Sequence, residues 1–443
     1  MGIALACAWG VCAESGVASN PAPTQLPVYT LQCCLDLALK QNPGVLVAQK
    51  RLEEAAGAIV EARAGFLPSL TSGANYQWLE SDYAKLAGAS PDRRNFIWNV
   101  NIRLTETIYA GGAVRGRMAI ARLQKESRML DYQAGVNNVI ADVRVAFYEI
   151  LRNKSDIGVH QQAVEFFSQQ AKNERNRLEV GSGQKLNVLR AEVNLALEQS
   201  ALVESQNRLR QSYLRLSELL AIPYAIDEDH VPFEITGELT YDKKALDLTE
   251  CLLRAFAQRP ELPARENEVK LQQRQLIVDR SEVLPHASVF LGYDFISEPN
   301  RDVPADSYNG YVAGAAVSWH LFDGLATQGR LRATRARIDA AEISYDAIHR
   351  TIESEVLRSY RDLQKAEEIL QSQSANVRLA TDSLKLATAN FDLGLTSQLE
   401  LLQSQLDLTR AQMAELSARF DYNAALARLQ RAMGSEFQIT DTR

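Results

Sequence analysis

Apolar positions along the chain fall into two long runs with a period of seven. Val143, Ile150, Ile157, Val164, Ala171 and Leu178 form the first. Val356, Leu363, Leu370, Val377, Leu384 and Phe391 form the second, each 213 positions after its counterpart. Such a repeat keeps one seam on a partner only when helices wind left-handed around each other. The runs predict helices over residues 113–178 and 326–391, each on the order of 95 Å long at about 1.5 Å per residue. Helices of an ordinary globular core run about 8–20 residues, so these belong to something else. Each is entered through a glycine turn, Tyr109-Ala110-Gly111-Gly112 or Phe322-Asp323-Gly324-Leu325. Each ends at another, Val180-Gly181-Ser182-Gly183 or Leu393-Gly394-Leu395-Thr396.

Beyond these tip turns, 179–185 and 392–398, return helices are expected over 186–221 and 399–434. Three-four steps carry their seams, through Leu186, Leu189, Val193, Ala196, Ser200, Val203 and Asn207 in the first. Leu399, Leu402, Leu406, Met413, Leu416 and Phe420 carry the second.

Ahead of each long helix the period drops to two. Leu70, Ala74, Tyr76 and Trp78 alternate with Thr71, Gly73, Asn75 and Gln77. Trp98, Val100, Ile102 and Leu104 alternate with Asn99, Asn101, Arg103 and Thr105. One face is apolar and one polar, which predicts a hairpin with strands at about 69–79 and 97–109 around a polar loop, 80–95. A second hairpin, about 286–296 and 310–322 around the loop 296–309, has Ala287, Val289, Leu291, Tyr293 and Phe295 on its apolar face, then Tyr311, Ala313, Ala315 and Val317. Trp78, Trp98, Phe295 and Tyr311 sit near the loop ends, where a membrane barrel carries rim aromatics. A soluble sheet with one face on a core gives the same alternation. Helical pattern precedes each hairpin, breaks at Asn42-Pro43, and stops at Pro68 and Pro285.

The chain therefore reads as one unit written twice, mainly α with a small β part: helix, strand, strand, long helix, tip turn, return helix. The first copy spans 14–221 and the second 248–443, with an acidic linker at 222–247. Cys251, Pro260, Pro285, Tyr293 and Phe295 match Cys34, Pro43, Pro68, Tyr76 and Trp78 at an offset of 217, and the change of offset falls within the hairpins.

Composition narrows the classes. The 443 residues carry a net charge of −7, without the basic stripe that nucleic acid requires. No run of about 18 apolar residues predicts a transmembrane helix, but spanning strands of about 9–11 residues escape hydropathy. Residues 1–13 are apolar up to Val11-Cys12-Ala13 yet lack a basic start. They are either a shortened signal peptide, the reading preferred here, or no signal at all; a lipidation site at Cys7 is the weaker alternative. Cys34 and Cys251 fall on matching apolar faces and read as small core residues rather than a disulfide or metal site. His160, His230, His286, His320 and His349 show no ligand spacing. No nucleophile–base pair or phosphate loop is present: Gly111-Gly112 before Arg115-Gly116-Arg117 lacks the spacing and lysine of one. No enzyme and no cofactor is expected.

Four strands cannot close a barrel, and an open edge in lipid leaves unpaired backbone groups costing several kcal/mol each. If the strands lie in a membrane, several chains pool them. Three chains supply twelve strands and two supply eight, a number that leaves room only for side chains.

The duplication, the turns Ile108-Tyr109-Ala110-Gly111-Gly112 and Leu321-Phe322-Asp323-Gly324, and the tips Leu178-Glu179-Val180-Gly181 and Phe391-Asp392-Leu393-Gly394 resemble the TolC-like outer membrane efflux proteins. The resemblance runs from about Leu31 to Gly434. It implies a homotrimer whose twelve-stranded barrel crosses outer-membrane lipid and continues as a helical tunnel through the periplasm, with the linker in a belt at mid-height. It further implies a periplasmic adaptor docked on the tip turns (Gly181, Ser182, Gly183; Gly394, Leu395, Thr396) and an inner-membrane transporter driven by protons or ATP. In that family, tip carboxylates ring a gate. Glu400 stands at one such position and Gln403 at the other, Thr396 replaces an arginine, an aromatic is kept as Phe391, and the first-half counterpart of Glu400 is Asn187. The function so implied is the channel of an efflux or type I secretion system. The alternative is a periplasmic coiled-coil spacer whose hairpins form a soluble sheet.

Overall fold

The computed structural model describes residues 27–78, 80, 96–223, 233–297 and 307–434. The expected signal segment, most of both polar loops and part of the linker lie outside the described residues.

The first half begins with β1 (Val28–Tyr29), α1 (Leu31–Gln41) and α2 (Pro43–Ala64). Asn42 makes the break between the two helices. Its side-chain oxygen accepts from Gly44 N at 2.9 Å, its side-chain Nδ2–H donates to Leu219 O at 2.8 Å, and Pro43 occupies the first turn of α2, where no N–H is needed. The hairpin follows as β2 (Ser69–Trp78) and β3 (Phe96–Ala110), then α3 (Ala113–Glu179) and α4 (Lys185–Leu220).

The second half gives β4 (Glu234–Ile235), α5 (Leu248–Gln258), α6 (Glu261–Ser281), β5 (His286–Ser297), β6 (Ser307–Ser318), α7 (Ala326–Asp392) and α8 (Gln398–Met433). The long helices α3 and α7 have 67 residues each, and the return helices α4 and α8 have 36 each. Strand β6 stops at Ser318, short of the expected 322. Its partner β5 begins at His286, opposite Ser318, and the preceding Pro285 has no N–H to continue the ladder. Trp319 instead turns aside and donates Nε1–H to Val283 O at 3.0 Å.

The four long strands form one antiparallel sheet in the order β2-β3-β5-β6, so the two halves meet along β3 and β5. The register puts Leu70, Tyr76, Trp98, Ile102, Leu104, Leu291, Tyr293, Tyr311 and Val317 on one face. No other described element packs on that face: Tyr311 is 83 % exposed and Val317 72 %. Strand β1 pairs in parallel with β4, tying the start of the chain to the linker.

Below the sheet, α3 packs on α2, α4, α6 and α8, while α7 packs on α6 and α8. Two cores lie at mid-height. One gathers Cys34, Val143, Phe147, Ile150, Leu216 and Phe233, the other Cys251, Val356, Leu363, Tyr422 and Leu429. Burial pushes the Cys34 thiol up to about 12, as expected of a small core residue rather than a ligand.

The second seam is buried only in its upper part, through Leu370, while the first is interrupted: it is buried at Val143 and Ile150, loses burial at Ile157 and Val164, and regains it at Ala171. Val143 and Ile150 are fully enclosed, whereas Ile157 and Val164 are half-exposed and their places are taken by Asp156, His160, Ala163 and Phe167. An α-helix drifts by about 20° per heptad against a 3.5 repeat, enough over three heptads to carry burial to neighbouring positions. The expected seam of α4 is corrected more sharply. Leu186, Leu189, Val193 and Val203 are exposed, and Val188, Ala191, Glu198 and Ser205 face α3 instead. The apolar stripe of α4 has no partner among the described residues.

Candidate channel wall and tip

The tip turns are built alike. Each long helix ends by donating two backbone N–H groups back into its last turn: Ser182 N to Arg177 O (2.9 Å) and Gly181 N to Leu178 O (3.0 Å), then Leu395 N to Asn390 O (2.8 Å) and Gly394 N to Phe391 O (3.0 Å). That closure needs a left-handed residue, and Gly181 and Gly394 supply it at φ +77° and +75°. Ser182 Oγ adds a bond to Arg177 O at 3.2 Å, and Thr396 Oγ1 reaches Ala387 O at 3.5 Å. A side chain at Gly183 would meet Leu178 N at 2.7 Å. Val180, Leu393 and Leu395 stand exposed on the two tips.

The tips are joined to one another. The Arg177 guanidinium stands over the Phe391 ring, 4.9 Å from its centroid. It also reaches Glu174, which is 2 % exposed, at 3.2 Å. Gln398, buried in the first turn of α8, donates Nε2–H to Asn187 O at 3.3 Å. Phe391 and Asn187 thus each take part in a contact between the two coiled coils, Phe391 with Arg177, which also holds Glu174, and Asn187 with Gln398; the sequence did not single out Arg177, Glu174 or Gln398. Glu174 and Gln398 are polar groups on buried positions and leave no apolar signature to find them by.

Glu400 lies apart from both contacts. It is exposed in the first turn of α8, where Ser397 Oγ caps its N–H at 3.4 Å. Gln403 turns away along the helix to donate to Asp407 Oδ1 at 2.9 Å. Asp407 is thus the next carboxylate along α8, another residue the sequence reading missed.

Above the tip, Ala163, Phe167 and Leu402 form a small apolar plug. Next to it, His160 Nδ1 meets Glu198 Oε2 at 3.0 Å in buried surroundings, beside a cleft of about 420 Å³ that Thr409, Arg410 and Met413 help line. Burial raises the pKa of Asp156, one turn before His160 on α3, with Arg152 opposing the shift.

At the sheet, Trp78, Trp98, Phe295 and Tyr311 all share the apolar face near its loop end. Tyr76 is directly opposite Trp98, and Tyr293 stacks edge-on against both Phe295 (4.9 Å) and Tyr311 (4.8 Å). Trp319, Leu321 and Phe322 are exposed beyond the opposite end. The other face carries Thr71, Gly73, Asn75, Asn99, Asn101, Arg103, Gly292, Asp294 and Gly314.

A sheet apolar on one face and polar on the other, continued by paired helices far longer than any globular core needs, defines an outer-membrane tunnel protein. The chain belongs to the outer membrane efflux protein family, whose profile matches residues 34–221 and 252–435. It is 23 % identical to protein CyaE of Bordetella pertussis over 382 residues, covering 82 % of this chain and 79 % of that one. It is 21 % identical to outer membrane protein TolC of Vibrio cholerae over 416 residues, 91 % of each chain. Among solved structures, the outer-membrane channel OprN superposes with a TM-score of 0.77 at 20 % identity, over 91 % of this chain and 89 % of that one. The CmeC channel of Campylobacter jejuni superposes at 0.78 with 16 % identity, over 93 % and 87 %. The protein is therefore an outer-membrane efflux protein with the TolC-like fold.

Proposed function

We propose that three copies of this chain close into a ring that forms the outer-membrane channel of a tripartite efflux or type I secretion system. One observation carries the reading: the chain is left open on the same two sides at every level. The sheet runs β2-β3-β5-β6, the upper helices α2-α3-α6-α7, and the lower helices α4-α3-α8-α7. In each layer a first-half element is free at one end and a second-half element at the other. A copy related by rotation closes all three layers at once. The stripe Leu186, Leu189, Val193 and Leu197 on α4 then meets Leu379 and Leu386 on the neighbour's α7, all exposed in the single chain. Twelve strands have no edge in lipid, and the polar face becomes the wall of a wet lumen.

In this assembly the tip turns with Val180, Leu393 and Leu395 are the contact for a periplasmic adaptor, which links the tunnel to an inner-membrane transporter. Glu400, repeated three times, rings the narrow end, with Asp407 as a second ring above it. Arg177, Phe391, Gln398 and Asn187 hold the two coiled coils of each chain together. The channel itself carries out no chemistry.

The test is a pair of cysteines, Leu197→Cys and Leu379→Cys, on facing sides of the junction. Oxidation should yield covalent trimers on a denaturing gel, and detergent-corrected mass should give three chains. A monomer by both measures removes the channel. The coiled-coil spacer would then remain, although it leaves Leu70, Tyr76, Tyr311 and Val317 facing water.

A further inference from the structure

Three long side chains on the polar face of the sheet each lie directly across the ladder from a glycine. Asn101 faces Gly73, Arg103 faces Gly292, and Phe290 faces Gly314. Each lies down over its glycine. A Cβ at Gly73 would stand 3.2 Å from Asn101 Oδ1, one at Gly292 3.2 Å from the backbone Ile102 O and 3.6 Å from Arg103 Nε, and one at Gly314 only 2.8 Å from Phe290 Cζ. Gly310 is the contrast: it lies opposite Asp294, and a Cβ there meets nothing within 4 Å. Glycine weakens a strand, and close approach of another group is the usual reason to keep it there.

The flattened side chains also hold one another. The Arg103 guanidinium sits 5.0 Å from the centre of the Phe290 ring and 3.9 Å from the Asp294 carboxylate. Phe290 is half-buried, although it stands on the open polar face. Across β3, β5 and β6 this makes a layer one side chain thick, pressed against the backbone.

We propose that Gly314, with Gly292 and Gly73 in support, sets the bore of the exit barrel by letting Phe290, Arg103 and Asn101 lie flat along the wall. The inference rests on the reading of the polar face as a lumen. A barrel with these residues upright would carry three rings and three guanidinium groups into the passage. With them flat, the width is set close to the backbone, and the wall offers passing cargo a thin polar and aromatic lining. Such an exit suits bulky cargo rather than small ions.

The experiment is labelling from outside intact cells with maleimide-linked polymers of graded size. The target is Thr107→Cys, on the polar face one row to the helix side of Phe290, in a Cys33→Ser background. Gly314→Ala should lower the largest polymer that reacts and slow labelling severalfold, because the new methyl lifts the ring. Gly310→Ala should change neither. Adding Phe290→Ala to Gly314→Ala should restore the original limit, and Phe290→Ala alone should leave it unchanged, since a flat ring narrows nothing. An unchanged limit in Gly314→Ala, or a clearly enlarged one in Phe290→Ala alone, overturns the proposal while leaving the channel in place. If even the smallest maleimide fails to reach Thr107→Cys in the folded protein, the lumen assignment falls as well.

Discussion

Arg177 and Phe391 join the ends of the two long helices, the guanidinium of one standing 4.9 Å above the ring centre of the other. A cation over an aromatic face is worth about 0.5–2 kcal/mol, depending on how far it is desolvated. If the tips separate when the tunnel opens, Arg177→Ala should shift that equilibrium by roughly 2- to 30-fold toward the open state. Single-channel conductance in planar bilayers reads this directly. Gln398→Ala should add to the effect, because its bond to Asn187 O spans the same two coiled coils. Conductance identical to wild type in the double variant would show that these contacts hold no closed state.

Among the described residues the Glu400 side chain makes no hydrogen bond or ion pair, and it stands exposed at the start of α8. Threefold repetition would concentrate negative charge at the narrow end, where a multivalent cation binds and blocks. Glu400→Ala is expected to raise conductance and weaken block by a trivalent cation several-fold, with a smaller effect from Asp407→Ala. Unchanged block would take Glu400 out of the gate.

Much of this architecture is legible in the sequence because it rests on period. A change from seven to two locates the sheet, and Gly181 and Gly394 mark the tips because left-handed closure demands them. The α4 stripe shows where such reading stops. Leu186 and Val193 announce an apolar seam, but the spacing is identical whether the partner is α3 or another chain. The tip contacts are invisible for a different reason: Glu174 and Gln398 fill buried positions with polar groups, so no hydrophobic pattern points to them. The pairs Arg103–Gly292 and Phe290–Gly314 depend on ladder register, and the first of these crosses between the two halves, far apart in the chain.

The cysteines give a chemical check on the packing at mid-height. Cys33 is exposed, whereas Cys34 and Cys251 are buried and burial raises both thiols, Cys34 to about 12. A thiol held that far above neutral pH supplies almost no thiolate for attack. Of these three, Cys33 alone should react with a maleimide at pH 7 in the native protein, and all three after denaturation. Mass spectrometry of digested, labelled protein checks this.

Burial also raises the pKa of Asp156, against the pull of Arg152, Arg208 and His160. A carboxyl whose folded pKa lies above its unfolded one favours the folded state at low pH and loses that contribution as pH rises through the folded value. Ionised Asp156 thus costs stability at neutral pH, and its Oδ1 has no hydrogen-bond partner among the described residues. Asp156→Asn should raise the melting temperature at pH 8 by about 1–2 °C, with the gain fading as pH falls toward about 4. Thermal unfolding of the detergent-solubilised protein across that range gives the sign, and a gain that grows toward acid would contradict it.

Gly111 and Gly324 turn the chain from sheet to long helix in the two halves, both with positive φ, +58° and +67°. Their surroundings differ. A Cβ at Gly111 would lie 2.9 Å from Ser281 Cβ and from Ser281 O and 3.0 Å from Leu284 Cβ, because α6 passes directly beneath the turn. At Gly324 it would meet open space. Alanine at either position carries the left-handed penalty of about 1–2 kcal/mol. At Gly111 the clash with the backbone of α6 adds about 1–3 kcal/mol of overpacking, since that helix is held between α3 and α7 and has nowhere to retreat. Gly111→Ala should therefore lower the midpoint of thermal unfolding clearly more than Gly324→Ala. Equal losses would mean that the first turn is not pressed against α6, and that the sheet sits on the helices through the backbone conformation of its turns alone.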